Sequence, residues 1–456
     1  MGRKKKTSAN PEAMITMPVV NPHAAGIDIG SKSHFVCVAQ DNVKEFPVFT
    51  EDLHAIAKHL RFHSVETVAM ESTGFYWKPL FVLLQDYGFG VILVNARHLK
   101  NVKGHKTDVV DSKWLQMLHS IGLLSNSFQP DVFTHQLRTY TRHRKSLIED
   151  ASKYISKMNK TLVLMNIQLQ SILRDIAGVS GMRVISAILG GERDPKKLEQ
   201  LVDFRCKADR KDIEKALIGD WREEYLFELK DCYDLYNYYW AKIRSIDKTI
   251  ECLLSASSQI AKETEESKQD YKPRKRKQPN KNDPAFDVAA YAYQMAGNVD
   301  LTQIPGVGLT TILTMMSETG FDLSMFKSAK HFVSWLGFAP NRKISGGRQL
   351  SSKTNKQTNP LANVIREAAN SAGNSKTRLG DFFRRLAFRK GRMVAIVATS
   401  RKIGVIIYKM LKDKQEYCYQ YSNDDEQRIK NFKVKQIRKS IKTFNISKNE
   451  LEAAFS

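Results

Sequence analysis

The chain predicts an α/β domain followed by an all-α remainder, and three observations carry that reading. Strand and helix signals alternate over residues 23–120. Two long apolar seams with alternating three- and four-residue steps run through 130–170 and 222–256. Beyond about 285 the pattern is mainly helical until about 415, and a polar, basic tail follows.

In order, residues 1–20 form a basic arm, "MGRKKKTSANPEAM", expected to be disordered. It has no apolar stretch after the charges, so it does not resemble a secretory signal. A domain at 21–128 follows. "AAGIDIG" and "HFVCVAQ" are apolar strands joined by the tight "SKS" turn, and "KEFPVFT" supplies a third strand. "EDLHAIAKHLRFH" spaces Leu53, Ile56, Ala57 and Leu60 as one helix face. "ETVAME" is a fourth strand, "YWKPLFVLLQDYG" a helix closed by Gly88, and "FGVILVN" a fifth strand. "GHKTDVVDSKWL", 104–115, then enters a helix, which gives the order β-β-β-α-β-α-β-α.

Residues 129–261 form a helical arm. Leu137, Tyr140, Arg144, Leu147, Ala151, Tyr154, Met158 and Met165 make one seam. Leu229, Cys232, Tyr236, Tyr239, Ile243, Ile246, Ile250 and Leu253 make the other. Such seams predict two long helices packed as a coiled coil, in an antiparallel hairpin around a helical insert, or two ordinary bundle helices. The insert contains "IAGVSGMRVISAIL", and a similar stretch, "IPGVGLTTILTMM", comes later. Both fit a helix–hairpin–helix pattern, in which Gly306 and Gly308 would let backbone N–H groups approach a phosphate. A plain glycine turn between packed helices is the alternative. Residues 262–284 form a linker with a basic centre, 285–415 the helical C-terminal domain, and 416–456 the tail.

Charge narrows the partners. Lys and Arg total 72 against 48 Asp and Glu, a net +24, which points to nucleic acid or an anionic surface. No stretch approaches about 18 apolar residues, so no membrane span is expected. Cys37, Cys206, Cys232, Cys252 and Cys418 show no metal spacing and suit reduced thiols in the cytoplasm. His59 and His63 form an i,i+4 pair, read as solvated residues near a helix end.

Within this basic chain the acidic residues of the first domain are conspicuous. Asp28 sits in the apolar strand "GIDIG", and Glu71 ends the fourth strand in "VAMESTG". A carboxylate in an apolar strand is costly unless paired or bound to a cation. Asp108 and Asp111, three residues apart, share a helix face. If strands one and four are neighbours and the helix after strand five crosses their ends, all four converge. Unneutralised, the cluster would raise its own pKa values; with Mg²⁺, in a two-metal site, it becomes a phosphodiester centre.

"GIDIGSKSH", "AMESTGFYWKPL" and "GHKTDVVDSKWL" resemble the RuvC-like domain of the DEDD transposases of bacterial insertion sequences, the bridge-RNA-guided recombinases. "IPGVGLTTILTMMSETGFDLSMFKSAKHFVSWLGFAPNRKISGGR" and "KGRMVAIVATSRKIGVIIYKMLKD" resemble the C-terminal transposase domain of that family. The resemblance implies an RNase H-like fold, a coiled-coil dimerisation arm, Mg²⁺ and the tetrad Asp28, Glu71, Asp108 and Asp111. It also implies a serine nucleophile, Ser345 in "NRKISGGRQLSSK", with Ser351 and Ser352 as rivals and a basic turn as the plain alternative. Arg342, Lys343, Arg348, Lys353 and Lys356 are the expected phosphate contacts. Thr358 stands where the family pattern places a glycine, which puts the roles of Lys356 and Asn359 in question; the insert at 171–230 exceeds shorter members. The expected partners are DNA (element ends and target), a guide non-coding RNA, and further copies of the chain, as a dimer through the coiled coil and a tetramer in the synaptic complex, in the bacterial cytoplasm at the nucleoid. Two other readings compete: a Holliday-junction-type nuclease hydrolysing with water, and a non-catalytic DNA-bridging protein.

Overall fold

The computed structural model describes residues 18–39, 42–72, 74–95, 108–262, 280–354, 359–417, 423–445 and 447. The N-terminal arm up to residue 17, positions 104–107, residues 263–279 of the 262–284 linker, Lys356, Thr358 and Cys418 lie outside the described residues, while Lys262 ends a helix. Two compact units result, Met1–Gln129 and Pro130–Ser456.

The first unit is built on a five-stranded mixed sheet: β1 (Ala24–Ile29), β2 (Ser33–Ala39), β3 (Asn42–Pro47), β4 (Thr67–Glu71) and β5 (Gly90–Val94). Their spatial order is β3-β2-β1-β4-β5. β1–β2 and β2–β3 are antiparallel, whereas β4 lies parallel to both β1 and β5. β1 is the central strand, which explains its unbroken burial from Ala24 to Ile27. Helices α1 (Thr50–Phe62) and α2 (Trp77–Asp86) cover one face, where Ile27, Ile56, Leu60, Val68, Met70, Leu80 and Leu84 make a core with almost no solvent contact. Helix α3 (Asp108–Ser120) covers the other. Gly26 makes that close approach possible: a Cβ there would lie 2.3 Å from the Gln116 nitrogen and 2.5 Å from the Ser112 oxygen.

The second unit is mostly helical. Helices α4 (Val132–Leu164) and α9 (Glu223–Lys262) pack along one another. Tyr154 stacks on Tyr239, and Arg144 pairs with Asp247, so the two run antiparallel. Of the predicted seam on α4, Tyr140 is exposed and Tyr154 half-buried; on α9 the predicted seam holds up to Ile243, with Tyr239 half-buried, and then moves from Ile246 and Leu253 onto Asp247 and Leu254. A straight α-helix drifts by about 20° per heptad, enough to bring the next residue inward. Both seams close within a single chain, so Leu147 and Ile243 are spent on internal packing.

Between them, α5 (Leu169–Ile172), α6 (Val179–Leu189), α7 (Pro195–Gln200) and α8 (Arg210–Ala216) form the insert, whose apolar core includes Met158, Leu162, Cys232 and Tyr236 of the long helices. After the linker come α10 (Val288–Met295), a 3₁₀ turn at Leu301–Gln303, α11 (Leu309–Glu318) and α12 (Ala329–Trp335). A departure from the helical expectation follows: β6 (Lys343–Ser345) and β7 (Arg348–Ser351) form an antiparallel ribbon. Gly346 and Gly347 both take positive φ, 55° and 74°, as a two-residue hairpin turn demands. Helices α13 (Pro360–Ala372), α14 (Arg378–Lys390), α15 (Arg392–Asp413) and α16 (Asn423–Phe444) complete the unit. Among the described residues no helix is long and apolar enough to cross a membrane. Among the described residues, Cys37, Cys206, Cys232 and Cys252 form no disulfide. His59 departs from the expectation of a solvated pair. It is half-buried, burial lowers its pKa, and its Nε2 is enclosed without a hydrogen-bond partner.

Candidate functional site

The local sequence explains how each acidic side chain is placed. Asp28 follows the buried run of β1 and projects on the same face as Gly26, since alternate residues of a strand share a face. That is the face α3 covers. Gln116 Nε2 donates to the Ala24 carbonyl at 3.3 Å, and Ser112 lies over Gly26. Going back one turn from Ser112 brings the helix start, with Asp108 and Asp111, toward the Asp28 end of the strand. Both aspartates fall in the first turn of α3, where the helix dipole favours negative charge. Glu71 is the last residue of β4, which lies beside β1 in parallel register with Ile27 opposite Met70.

Asp108, Asp111 and Glu71 therefore all act on Asp28. Burial, followed in order by Asp108, Asp111 and Glu71, raises the Asp28 carboxyl from its ordinary 3.8 to about 6, opposed by a hydrogen bond from the Ile29 backbone. Burial and three acidic neighbours concentrate negative charge about Asp28 in a partly enclosed place. The donors are hard oxygens, as Mg²⁺ or Mn²⁺ requires. Among the described residues, no three His, Cys, Asp or Glu side chains are gathered closely enough to hold a metal ion. The residues fit the chemistry of a divalent cation, and ligation requires them to draw in.

Ser345 belongs to the second unit and ends β6, exposed, opposite Arg348 across the glycine turn. Arg342, Lys343, Arg348 and Lys353 are also exposed around the ribbon. Of the rival serines, Ser351 is half-buried and its Oγ accepts from the Lys353 amide at 3.3 Å, while Ser352 is exposed at the ribbon's base. Asn359 caps α13 through bonds to the Leu361 and Ala362 amides. The two glycines of "IPGVG" part company. Gly306, at φ +86°, faces the backbone of α13, where a Cβ would lie 2.1 Å from the Ala368 oxygen, so its missing side chain serves packing. Gly308 precedes α11 with open space around it. In the insert the helix begins one glycine earlier, at Gly178, and only the four-residue α5 precedes it.

Comparison with known families decides what these two units are. Residues 25–167 match the DEDD transposase model of the IS110 group, described as Transposase, and residues 299–383 match the model described as Transposase IS116/IS110/IS902 family. The matches lie in tandem and together take in half of the chain. The chain belongs to the IS110 family of DEDD transposases. No curated protein matches it. An IS110-family transposase is a DNA-recombining enzyme of an insertion sequence, DNA is its partner, and its DEDD domain goes with divalent metal use. The first match covers all four carboxylates, and the second covers Gly306, Gly308 and the Ser345 ribbon.

The feature that sequence reading missed is the ribbon itself. Its signal was present in "KISGGRQL", a glycine pair between short strand-compatible stretches.

Proposed function

We propose that this transposase cuts and exchanges DNA strands under the direction of a guide RNA, with Asp28, Glu71, Asp108 and Asp111 holding Mg²⁺ and Ser345 as the nucleophile. The observation that carries the reading is the placement of Asp108, Asp111 and Glu71 about the partly buried Asp28, whose carboxyl is raised by burial and by those three groups. Mg²⁺ held by the tetrad would neutralise that charge and polarise the scissile phosphate. The chain's own residues do the rest. Ser345 Oγ attacks phosphorus, the bond to the 3′ oxygen breaks, and the serine proton passes to that leaving oxygen. The strand is then held as a phosphoserine ester. A partner strand's 3′-hydroxyl attacks the ester, restores a phosphodiester and returns the proton to the serine. Bond energy is conserved throughout, so no external energy source is needed. Arg342, Lys343, Arg348 and Lys353, exposed about the ribbon, suit the phosphates on either side. The guide RNA rests on the family resemblance and the net charge of +24. The dimer belongs to the same proposal, and because Leu147 and Ile243 are buried inside one chain it would use residues of the arm that stay exposed, such as Tyr140.

The test is a duplex nicked beside the cleavage position, which removes the resealing strand. The wild type should stay attached to this DNA through denaturing electrophoresis. Ser345→Ala should give no adduct while still binding DNA and RNA, and Ser351→Ala and Ser352→Ala should still trap. Free 5′-phosphate ends without an adduct would replace this reading with a water-hydrolysing nuclease.

A further inference from the structure

At the carboxyl end of β4, just after Glu71, the chain places apolar surface outside the core. It turns through Gly74, at φ +58°, and sets two aromatic rings in solvent before α2 begins. Phe75 is 74% exposed and Tyr76 is 42% exposed, with ring centroids 4.6 Å apart and planes inclined by 35°. The turn is braced from both sides. Ser72 N–H donates to the Val94 carbonyl at 2.9 Å, and Trp77 Nε1 donates to the Gly74 carbonyl at 3.2 Å. Trp77 itself packs edge-on against Phe81, so the brace is anchored in the core. Exposing two aromatic rings gives up burial that α2 could have provided, and the hydrogen bonds of Ser72 and Trp77 tie the chain on either side of the pair. Their position also matters. Asp28 and Glu71 sit at the carboxyl ends of the parallel strands β1 and β4, the edge at which open α/β sheets bind their ligands. Phe75 and Tyr76 stand on that same edge, within five residues of Glu71.

We infer that Phe75 and Tyr76 form a stacking platform for unpaired bases of the DNA strand whose phosphate lies at the tetrad. Every base offers a π-face, so stacking on aromatic rings grips a strand without regard to sequence. Strand exchange requires the DNA to be unpaired around the cleavage position, and a base held on Tyr76 keeps the adjoining phosphate at the carboxylates. Phosphate-binding lysines and arginines cannot do this, because they hold duplex and single strand alike. The inference rests on the tetrad being the DNA-processing site.

The experiment uses the full-length protein without divalent metal and two probes, a 20-mer single-stranded oligodeoxynucleotide and the matching duplex. A single 5-iodouracil in the strand should crosslink on irradiation to Phe75 or Tyr76, identified by peptide mass spectrometry. The double variant Phe75→Ala/Tyr76→Ala should lose this crosslink and bind the single strand at least about fivefold more weakly, the scale of one lost base stack. Duplex binding, and the dependence of single-strand affinity on salt, should not change, because no phosphate contact has been removed. Phe75→Leu/Tyr76→Leu, which keeps an apolar surface, should show the same loss and so exclude simple hydrophobic contact. Crosslinks only elsewhere, or equal loss on duplex, would overturn the platform. Loss confined to a single-stranded RNA of the same sequence would also overturn it, giving the rings to the guide instead. Recombination by Asp28→Asn is measured alongside. If that variant stays active, the tetrad reading has failed, whatever the crosslink shows.

Discussion

Replacing Asp28 by asparagine should stabilise the first unit while it abolishes recombination. The folded protein holds a proton on Asp28 up to about pH 6, whereas a free aspartate, at 3.8, has released it by about pH 4. Between those values the native state binds more protons than the unfolded chain, so stability falls as pH rises through the interval and stays low above it. Raising a carboxyl from 3.8 to about 6 corresponds to about 3 kcal/mol at most. Asp28 is only partly buried, so solvent screens some of this, and about 1–2 kcal/mol is the realistic figure. Asparagine cannot ionise and avoids the cost. The gain should be absent below about pH 4, grow toward pH 6 and level off. The assay is hydrogen exchange of the β1 and β4 amides in full-length protein with chelator present. Above pH 6 the variant's slowest amides should exchange about 5 to 30 times more slowly than wild type, the factor that 1–2 kcal/mol commands. Equal or faster exchange would refute the argument that burial and acidic neighbours make an ionised Asp28 costly. Adding Mg²⁺ should slow exchange in the wild type far more than in the variant.

Three other outcomes follow from the second unit. Asp247→Ala should cost about 3–5 kcal/mol in denaturant unfolding, because it strands the buried Arg144 and also removes the acceptor of the Ala285 amide. Gly306→Ala should abolish soluble expression or lower the melting temperature sharply, since its Cβ would strike the Ala368 carbonyl, while Gly308→Ala should melt like wild type and reveal any backbone contact with DNA as a pure affinity loss. Gly347→Val should suppress phosphoserine trapping without changing thermal unfolding, because it strains a φ of 74° in an exposed ribbon and nothing else.

Much of the first unit was legible because strand period, glycine placement and charge pointed the same way. An aspartate in an apolar strand and two more at helical spacing predicted a convergence that the strand order β3-β2-β1-β4-β5 makes possible. The arm was half legible. Its periodicity showed which faces are apolar but not which helix covers them, and the cover turned out to lie in the same chain. Asp247 escaped notice because a charged residue looks like a surface position until its partner, Arg144, is known to be buried opposite. The ribbon was missed for a different reason. Its strands are only three and four residues long, and helical signals on both sides outweigh so short an alternation.

The neck of the insert has a consequence for how such chains change length. Asp220 N–H donates to the Met165 carbonyl at 2.8 Å, and Gly219 has no side chain where one would strike that same oxygen. Gln168 N–H likewise donates to the Ala216 carbonyl at 2.9 Å, so the two ends of a segment of more than fifty residues meet side by side at one narrow neck, and the whole segment can be gained or lost there without displacing either long helix. Its core is not self-contained, however, because Met158, Leu162, Cys232 and Tyr236 lend it their apolar faces. A relative that has shed the module must carry polar side chains at those four places, or it will expose a sticky tip and aggregate. The length of the arm and the hydropathy of its end are thus inherited together.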